Sequence, residues 1–448
     1  MAGSRPFYST PLAVLLIAVS ASYLYGAAIY RTLVVFGVFR TPGHSPAVDV
    51  TAIPNTLHCE DLHYHESSGQ IFTACEDDEK TRYSWFPPLA NFDDPTVGSQ
   101  ARGSLKVINP KTFESTTLRF ENFDGAFVTH GIDILDDPQS QEGNDVYIFA
   151  VNHKANPERY VKNNASAAES HSVVEVFHHE IGSDSVRHIR SVWHPLIRTP
   201  NDIFAVSTSS FFVTNDHHYR KGYMRNVEDL FFASKWSNTI FVEFAVNDDD
   251  STSALDDSKD VKASVALQGL HNNNGLGRGK TSKDILIGSA SSGTLHLAAY
   301  SVDPAMAAGR ITVSQSVELD STIDNPSYFA DPYANSTFDG SGYVLAGLSK
   351  GVNLLKQIRN PEGQDGVCVW MVTPLDQGNT VAAGKSKGKD CSKWRKRLLF
   401  EDDSSRIRTA SSAVLVPIER STDSGQRRAQ LFVSGFLSKN VVTCAVDL

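Results

Sequence analysis

Beyond residue 55 the chain is cut into short apolar or alternating runs, and this punctuation constrains the fold more than any other feature. SGQIFTAC, DVYIFAVNH, HSVVEVFHHE, NTIFVEFAVN, DILIGSA, TLHLAAYSV, SAVLVPIE and AQLFVSGFL are each bounded by Gly, Pro, Asn, Asp or Ser. Runs of that length between turn residues read as strands. A strand, a polar cluster, a turn and another strand recur about every 40–50 residues, as in propeller blades. The roughly 390 residues after the N-terminal segment make six or seven blades. Aromatics form 10% of the chain, with 24 Phe and 14 Tyr against 4 Met, which suits pleated, half-buried surfaces. The expected class is therefore all-β. Helix is expected only at the N-terminus and over residues 225–236 (RNVEDLFFASKW).

Residues 11–30 (PLAVLLIAVSASYLYGAAIY) carry no charge, and TLVVFGVF extends the apolar run to residue 39. A bilayer span needs about 20 such residues. The segment reads as an uncleaved signal anchor, with a cleaved secretory signal as the alternative. The expected layout is residues 1–40 as signal anchor, 41–55 as linker and 56–448 as the β domain. Two sequons, at Asn164 and Asn335, tilt the body towards the secretory lumen or the cell exterior. Disulfides are permitted there. Cys59 and Cys75 flank a hairpin and Cys368 and Cys391 flank a polar loop, so these are the expected pairs, with Cys444 left free. A zinc ribbon is excluded because no CxxC occurs. The net charge is −10, which speaks against a nucleic-acid partner.

Other motifs carry less. RGKTSKD at 278–284 lacks the first glycine of a phosphate loop and precedes a strand instead of opening a helix. HExxH and GxSxG are absent. The adjacent pairs His178-His179 and His217-His218 point to opposite strand faces, are poor chelating pairs, and most of the four are read as surface residues. His63 and His65 share a face. Residues 154–170, 248–260 and 376–396 read as solvated loops. More informative are Glu60-Asp61, Asn201-Asp202, Asn215-Asp216, Asn274-Gly275 and Asp324-Asn325, beside apolar strands and scattered along the chain. Each alone is an ordinary turn pair. On a propeller axis they could meet and offer a calcium ion six to eight oxygens. Composition leaves both readings open.

TPNDIFAVSTSSFFVTNDHHY at 199–219 resembles the serum paraoxonase/arylesterase family, in which Asn-Asp-Ile, an Ala-Val strand and Phe followed by Thr-Asn-Asp-His occur in this order. CEDLHYH at 59–65, THGIDILDD at 129–137, VYIFAVNH at 146–153, NNNGLG at 272–277, STIDNPS at 321–327 and RTASSAVLV at 408–416 are similar too, in family order across residues 56–448. The resemblance implies a six-bladed, calcium-dependent propeller that hydrolyses lactones and aryl esters. It implies a catalytic calcium held by Glu60, Asn201, Asn274, Asp324 and Asn325. It implies a second, structural calcium held by Asp61, the carbonyl of Ile132 and Asp202. It also implies a His130–His153 dyad that takes a proton from water. Two departures stand out. Leu348 and Ser349 occupy the family's His-containing pocket segment, and no cysteine matches the N-terminal partner of Cys444 in ring closure. The competing expectation is a non-catalytic, calcium-stabilised propeller that binds lipid or protein. A strictosidine-synthase-like enzyme is a third reading, and the ligand set argues against it.

Overall fold

The computed structural model describes residues 9–45, 49–141, 143–245, 257–375, 393–419 and 427–448. Within the first helix it describes the side chains of Val14 and of residues from Tyr23 onward.

Strands rich in Val, Ile and Phe pair into six sheets of four or five strands each, antiparallel except where Arg119–Glu121 adds parallel to Ser185–Val192. The inner strands, in chain order, are Cys59–His65, Thr129–Asp136, Pro200–Ser207, Asn273–Arg278, Pro326–Phe329 and Ala410–Pro417. Each packs against the inner strands of its two neighbours, and the first meets the last. The result is an all-β, six-bladed propeller. Between blades two and three, Phe149, Val151, Val174, Ile203, Phe211 and Ile240 form a dry core. Phe204, Phe212, Phe241, Leu276 and Ile285 do the same between blades three and four. Burying each such side chain contributes about 1.5–3 kcal/mol.

Ring closure uses hydrogen bonds. Thr51–Ile53 adds to Val441–Asp447 as the outer strand of the sixth blade, with Thr51 opposite Thr443 and Ile53 opposite Val441. The stretch read as a linker thus supplies a strand. Cys444 on the last strand is a free, buried thiol, and burial pushes it up to about 11. The Cys59–Cys75 disulfide forms as expected, between residues directly opposite each other in one strand pair. Of the second expected pair only Cys368 is described. Cys368 lies within the strand Val367–Pro374, fully buried and free, with its thiol against the carbonyl of Gly347. Cys391, its expected partner, lies outside the described residues.

The N-terminal helix runs over Ser9–Val35. Its end docks on the propeller: Arg31 donates to the carbonyls of Ser292 and Gly293 and pairs with Asp320, and Val352 N donates to Phe36 O. Among the described residues, no helix is long and apolar enough to cross a membrane. The helix expected at 225–236 is shorter, Tyr223–Leu230. Gly279-Lys280-Thr281 lies in the turn between the strands Asn273–Arg278 and Asp284–Ser289. Both sequons, at Asn164 and Asn335, are exposed. Of the expected loops, 246–256 and 376–392 lie outside the described residues.

Candidate active site

Five inner strands carry a register shift at the same level of the axis, four of them with two residues facing one. Glu60 and Asp61 oppose Ala74. His130 and Gly131 oppose Val151. Asn201 and Asp202 oppose Thr214, and Asn274 and Gly275 oppose Gly288. Ser411 is the extra residue of the sixth blade. A bulge breaks the alternation of side chains and re-aims them. Residues that read as turn pairs are therefore bulge residues inside strands. The fifth blade contributes Asp324-Asn325, just ahead of its inner strand, with Asn325 N donating to Ser411 O at 2.9 Å. Glycine permits the close approach at two bulges. A Cβ on Gly131 would lie 2.5 Å from Asn201 O, and one on Gly275 would lie 2.5 Å from Asn325 Cα.

This geometry gathers acidic groups. Among the described residues no ion pair is formed by Glu60 or Asp324, although the positive charge of the buried Arg82 acts on Glu60 from a distance. Glu60, Asn201 and Asn325 are buried, and Asp324 and Asn274 line a cleft of about 340 Å³. Asn325 Nδ2 donates to Glu60 Oε1 at 3.0 Å. Glu60 Oε2, Asn201 Oδ1, Asn274 Oδ1, Asp324 Oδ1 and Asn325 Oδ1 are all buried with no hydrogen-bond partner. One orphaned oxygen on a native protein calls for a reason, and here five belong to one residue set. Burial pushes the carboxyls of Glu60 and Asp324 far above their usual range, and Asp61 beside both pushes further in the same direction. Such a cluster ionises only beside a positive charge. Five oxygen donors with two carboxylates are the chemistry of a hard divalent cation such as calcium. The residues present fit one ion.

The place implied for a second ion is different. Asp61 Oδ1 accepts from Leu62 N at 2.8 Å, and its Oδ2 accepts from Ile132 N at 3.2 Å and lies 2.9 Å from His63 Nε2. Asp202 accepts from Ile203 N and Leu276 N, both at 2.7 Å. None of these carboxylate oxygens is orphaned.

His130 and His153 meet. His153 Nε2 lies 3.1 Å from His130 Nδ1, and His153 Nδ1 lies 2.9 Å from Ser172 Oγ. Phe86 stands edge-on to both rings, and Trp85 Nε1 donates to His153 O. His130 also lines the cleft that holds Asn201, Asn274 and Asp324. Burial lowers His130 to about 4 and holds His153 well below its usual value, so both rings are neutral at pH 7.

One histidine of the site was misread from the sequence. His217 is buried, with Nδ1 3.0 Å from Asp216 Oδ2 and Nε2 2.6 Å from Asp229 Oδ1. Burial lowers its pKa and Arg225 opposes it too, yet the two carboxylates raise it to about 9. It is therefore a fixed cation in the cleft wall. His179 is buried as well, while His178 is half-buried and His218 exposed. Asp229 comes from the helix Tyr223–Leu230, so no local pattern could announce this clamp. The cleft wall mixes apolar side chains, among them Phe36, Phe86, Leu89, Leu348 and Leu354, with polar ones such as Asn226, Asn272 and Arg359. Ser349, the other departure, is buried with an unpartnered hydroxyl.

Fold and site together define a six-bladed propeller with an axial oxygen cluster beside a buried histidine pair. Residues 119–332 match the family model described as Arylesterase. Serum paraoxonase/arylesterase 1 of Mus musculus is 29% identical over 156 residues, covering 35% of this chain and 39% of that protein. Serum paraoxonase/arylesterase 2 of Homo sapiens is 25% identical over 256 residues, covering 57% and 60%. These matches support a relationship to the paraoxonase/arylesterase family over that part of the chain. The chain matches about two fifths to three fifths of the length of these relatives. A solved luciferin-regenerating enzyme is 10% identical with a TM-score of 0.41, covering 89% of this chain and 95% of its own.

Proposed function

We propose that this protein is a calcium-dependent hydrolase of lactones, aryl esters or both. The observation that carries the reading is the set of five orphaned oxygens on Glu60, Asn201, Asn274, Asp324 and Asn325, of which Asn201, Asn274 and Asp324 line one cleft with His130. Calcium bound there would polarise the ester carbonyl and stabilise the negative charge that develops on it. His130 takes the proton of the attacking water, and His153 relays it towards Ser172. Neutral imidazoles are the form such a role requires, and burial supplies it. Phe36, Phe86, Leu89, Leu348 and Leu354 favour the apolar part of an acyl or aryl group. The His217 cation, fixed by two carboxylates, sets the electrostatics of the wall.

The body is proposed to lie in the secretory lumen or outside the cell, tethered by residues 11–30 and glycosylated at Asn164 and Asn335. The charge-free run, the exposed sequons and the Cys59–Cys75 disulfide support this. The test of function is direct. Full-length protein in mild detergent is assayed against a panel of lactones and aryl esters, with calcium and with chelator. Turnover that needs calcium supports the reading. Turnover that persists after chelation rejects it.

A further inference from the structure

The N-terminal segment stays on the propeller after its helix ends. Gly37 N donates to Val34 O and Val38 N to Leu33 O, both at 2.9 Å, with Gly37 at φ 64°. This pair of bonds around a left-handed glycine is a Schellman cap. The turn sits tightly on the fifth blade, because a Cβ on Gly37 would lie 2.1 Å from Ser349 O. Beyond it, Lys350 Nζ donates to Arg40 O at 2.7 Å, and Arg40 Nε lies 3.5 Å from Glu401 Oε1. Ser45 N donates to Glu401 O at 2.8 Å. The segment is thus fastened by Arg31 on one side of the cap and by Arg40 and Ser45 on the other.

Phe36 lies between these fastenings. It is buried, and its carbonyl accepts from Val352 N at 2.9 Å, in the first turn of the helix Gly351–Gln357. Its ring stands over Gly351, where an added Cβ would lie 3.7 Å from Phe36 Cδ1 and 3.9 Å from Leu348 Cβ. Phe36 lines the cleft together with Leu348, Leu354, Leu355 and Asp324. Among the described residues it is the one part of the lining that precedes Phe86.

We propose that Phe36 determines specificity in this cleft by closing the end of the subsite that takes the apolar group of the substrate. The N-terminal segment is then a wall of the site as well as a tether. The proposal rests on the hydrolase reading for the reaction and on geometry alone for binding. A ring held by the cap on one side and by the Val352 bond on the other cannot yield to a longer group without breaking them. The two residues that depart from the family pattern meet the same segment. Ser349 O faces Gly37, and Leu348 shares the cleft with Phe36. Apolar side chains from two distant parts of the chain therefore line one end of the cleft, which suits an apolar occupant.

The experiment is a chain-length profile of the full chain in mild detergent with millimolar calcium. The ratio kcat/KM is measured for p-nitrophenyl esters from acetate to octanoate in the wild type, Phe36→Ala and Phe36→Trp. Partition into detergent is common to all three proteins and cancels in the comparison. The preferred ester should lengthen in Phe36→Ala and shorten in Phe36→Trp, with the octanoate-to-acetate ratio moving about tenfold or more in opposite directions. A merely structural role would lower every ester together and leave the profile in place, and that outcome overturns the proposal. A second measurement does not need turnover: calorimetric affinities of the same proteins for alkanoates from butyrate to octanoate. A shifted alkanoate preference with no turnover in the wild type upholds the proposal and rejects the hydrolase reading. An unshifted preference, or no alkanoate binding together with no turnover, overturns the proposal. Should Phe36→Ala fail to fold, Phe36→Leu and Phe36→Trp decide between the same outcomes.

Discussion

Asn325 donates to Glu60 Oε1 at 3.0 Å across a sequence separation of 265 residues. The bond consumes one oxygen of the carboxylate and the one donor group of the amide, leaving Glu60 Oε2 and Asn325 Oδ1 without partners. It therefore holds two oxygens in place for the cation proposed above and ties the first blade to the fifth. Ser411 and Ser434 hold the Glu60 carbonyl from the sixth blade, Ser434 at 2.9 Å. The axial cluster is thus also a brace between blades.

Removing calcium should abolish hydrolysis and change how stability depends on pH. In the metal-free protein, Glu60, Asp202 and Asp324 have carboxyls raised well above their usual range by burial and neighbouring carboxylates. A raised acid stabilises fully below its unfolded value and loses that contribution as pH rises through its folded value. Chelated protein should therefore melt higher as pH falls towards 4. Calcium-loaded protein should melt lower over the same range, because its ligands must be deprotonated to hold the ion. Calorimetry at pH 4–8 with and without chelator checks both slopes, and parallel slopes would count against the axial ion.

Asp324→Ala and His130→Gln should fail differently. The first deletes a charged ligand and should abolish turnover together with calcium binding. The second should lower kcat by about 10²–10⁴-fold while calcium stays bound. Rates and calorimetric calcium titrations of the two variants separate the roles. Full activity in Asp324→Ala would remove the basis of the mechanism.

The His217 clamp should appear as an alkaline loss of stability. Its folded value of about 9 stands above the ordinary 6.5, so its contribution is complete below pH 6.5 and fades as pH rises to 9. The loss amounts to about 3 kcal/mol at most. Denaturant midpoints of calcium-loaded protein at pH 6.5 and 9 should differ accordingly, and His217→Gln should flatten the difference.

Cys59→Ala with Cys75→Ala should cost about 3 kcal/mol, the entropy of a closed loop of this length, with a separation of 16 residues. Calcium affinity should fall as well, because the bridge closes the strand pair on which the Glu60 bulge sits. Chemical denaturation and calcium titration of the double variant measure the two effects. Unchanged affinity would confine the bridge to stability.

Alkaline carbonate extraction should leave full-length protein in the membrane pellet, and endoglycosidase treatment should increase its gel mobility. A soluble product beginning beyond residue 25 would replace the anchor with a cleaved signal.

The sequence by itself determined the class of fold, because a period of two between turn residues is a local property of strands. The same local reading reached the Cys59–Cys75 bridge, whose partners flank a single hairpin. The resemblance to the paraoxonase/arylesterase family supplied six blades and named a site set before any geometry was available. What the sequence could not show was how Glu60-Asp61, Asn201-Asp202 and Asn274-Gly275 differ from ordinary turn pairs. The difference is a bulge, set by the register of the neighbouring strand. Nor could it show that Thr51–Ile53 completes the sixth blade, since that pairing is made with the last strand of the chain. His217 read as a surface residue because its second carboxylate, Asp229, arrives on a separate helix. His63 read only as sharing a strand face with His65, and Arg278 only as the start of a rejected phosphate-loop match, because their meeting at Asp133 exists only where three inner strands converge. Strand propensity is written along the chain, whereas the balance of buried charge belongs to the axis, where residues from every part of it are brought within hydrogen-bond distance.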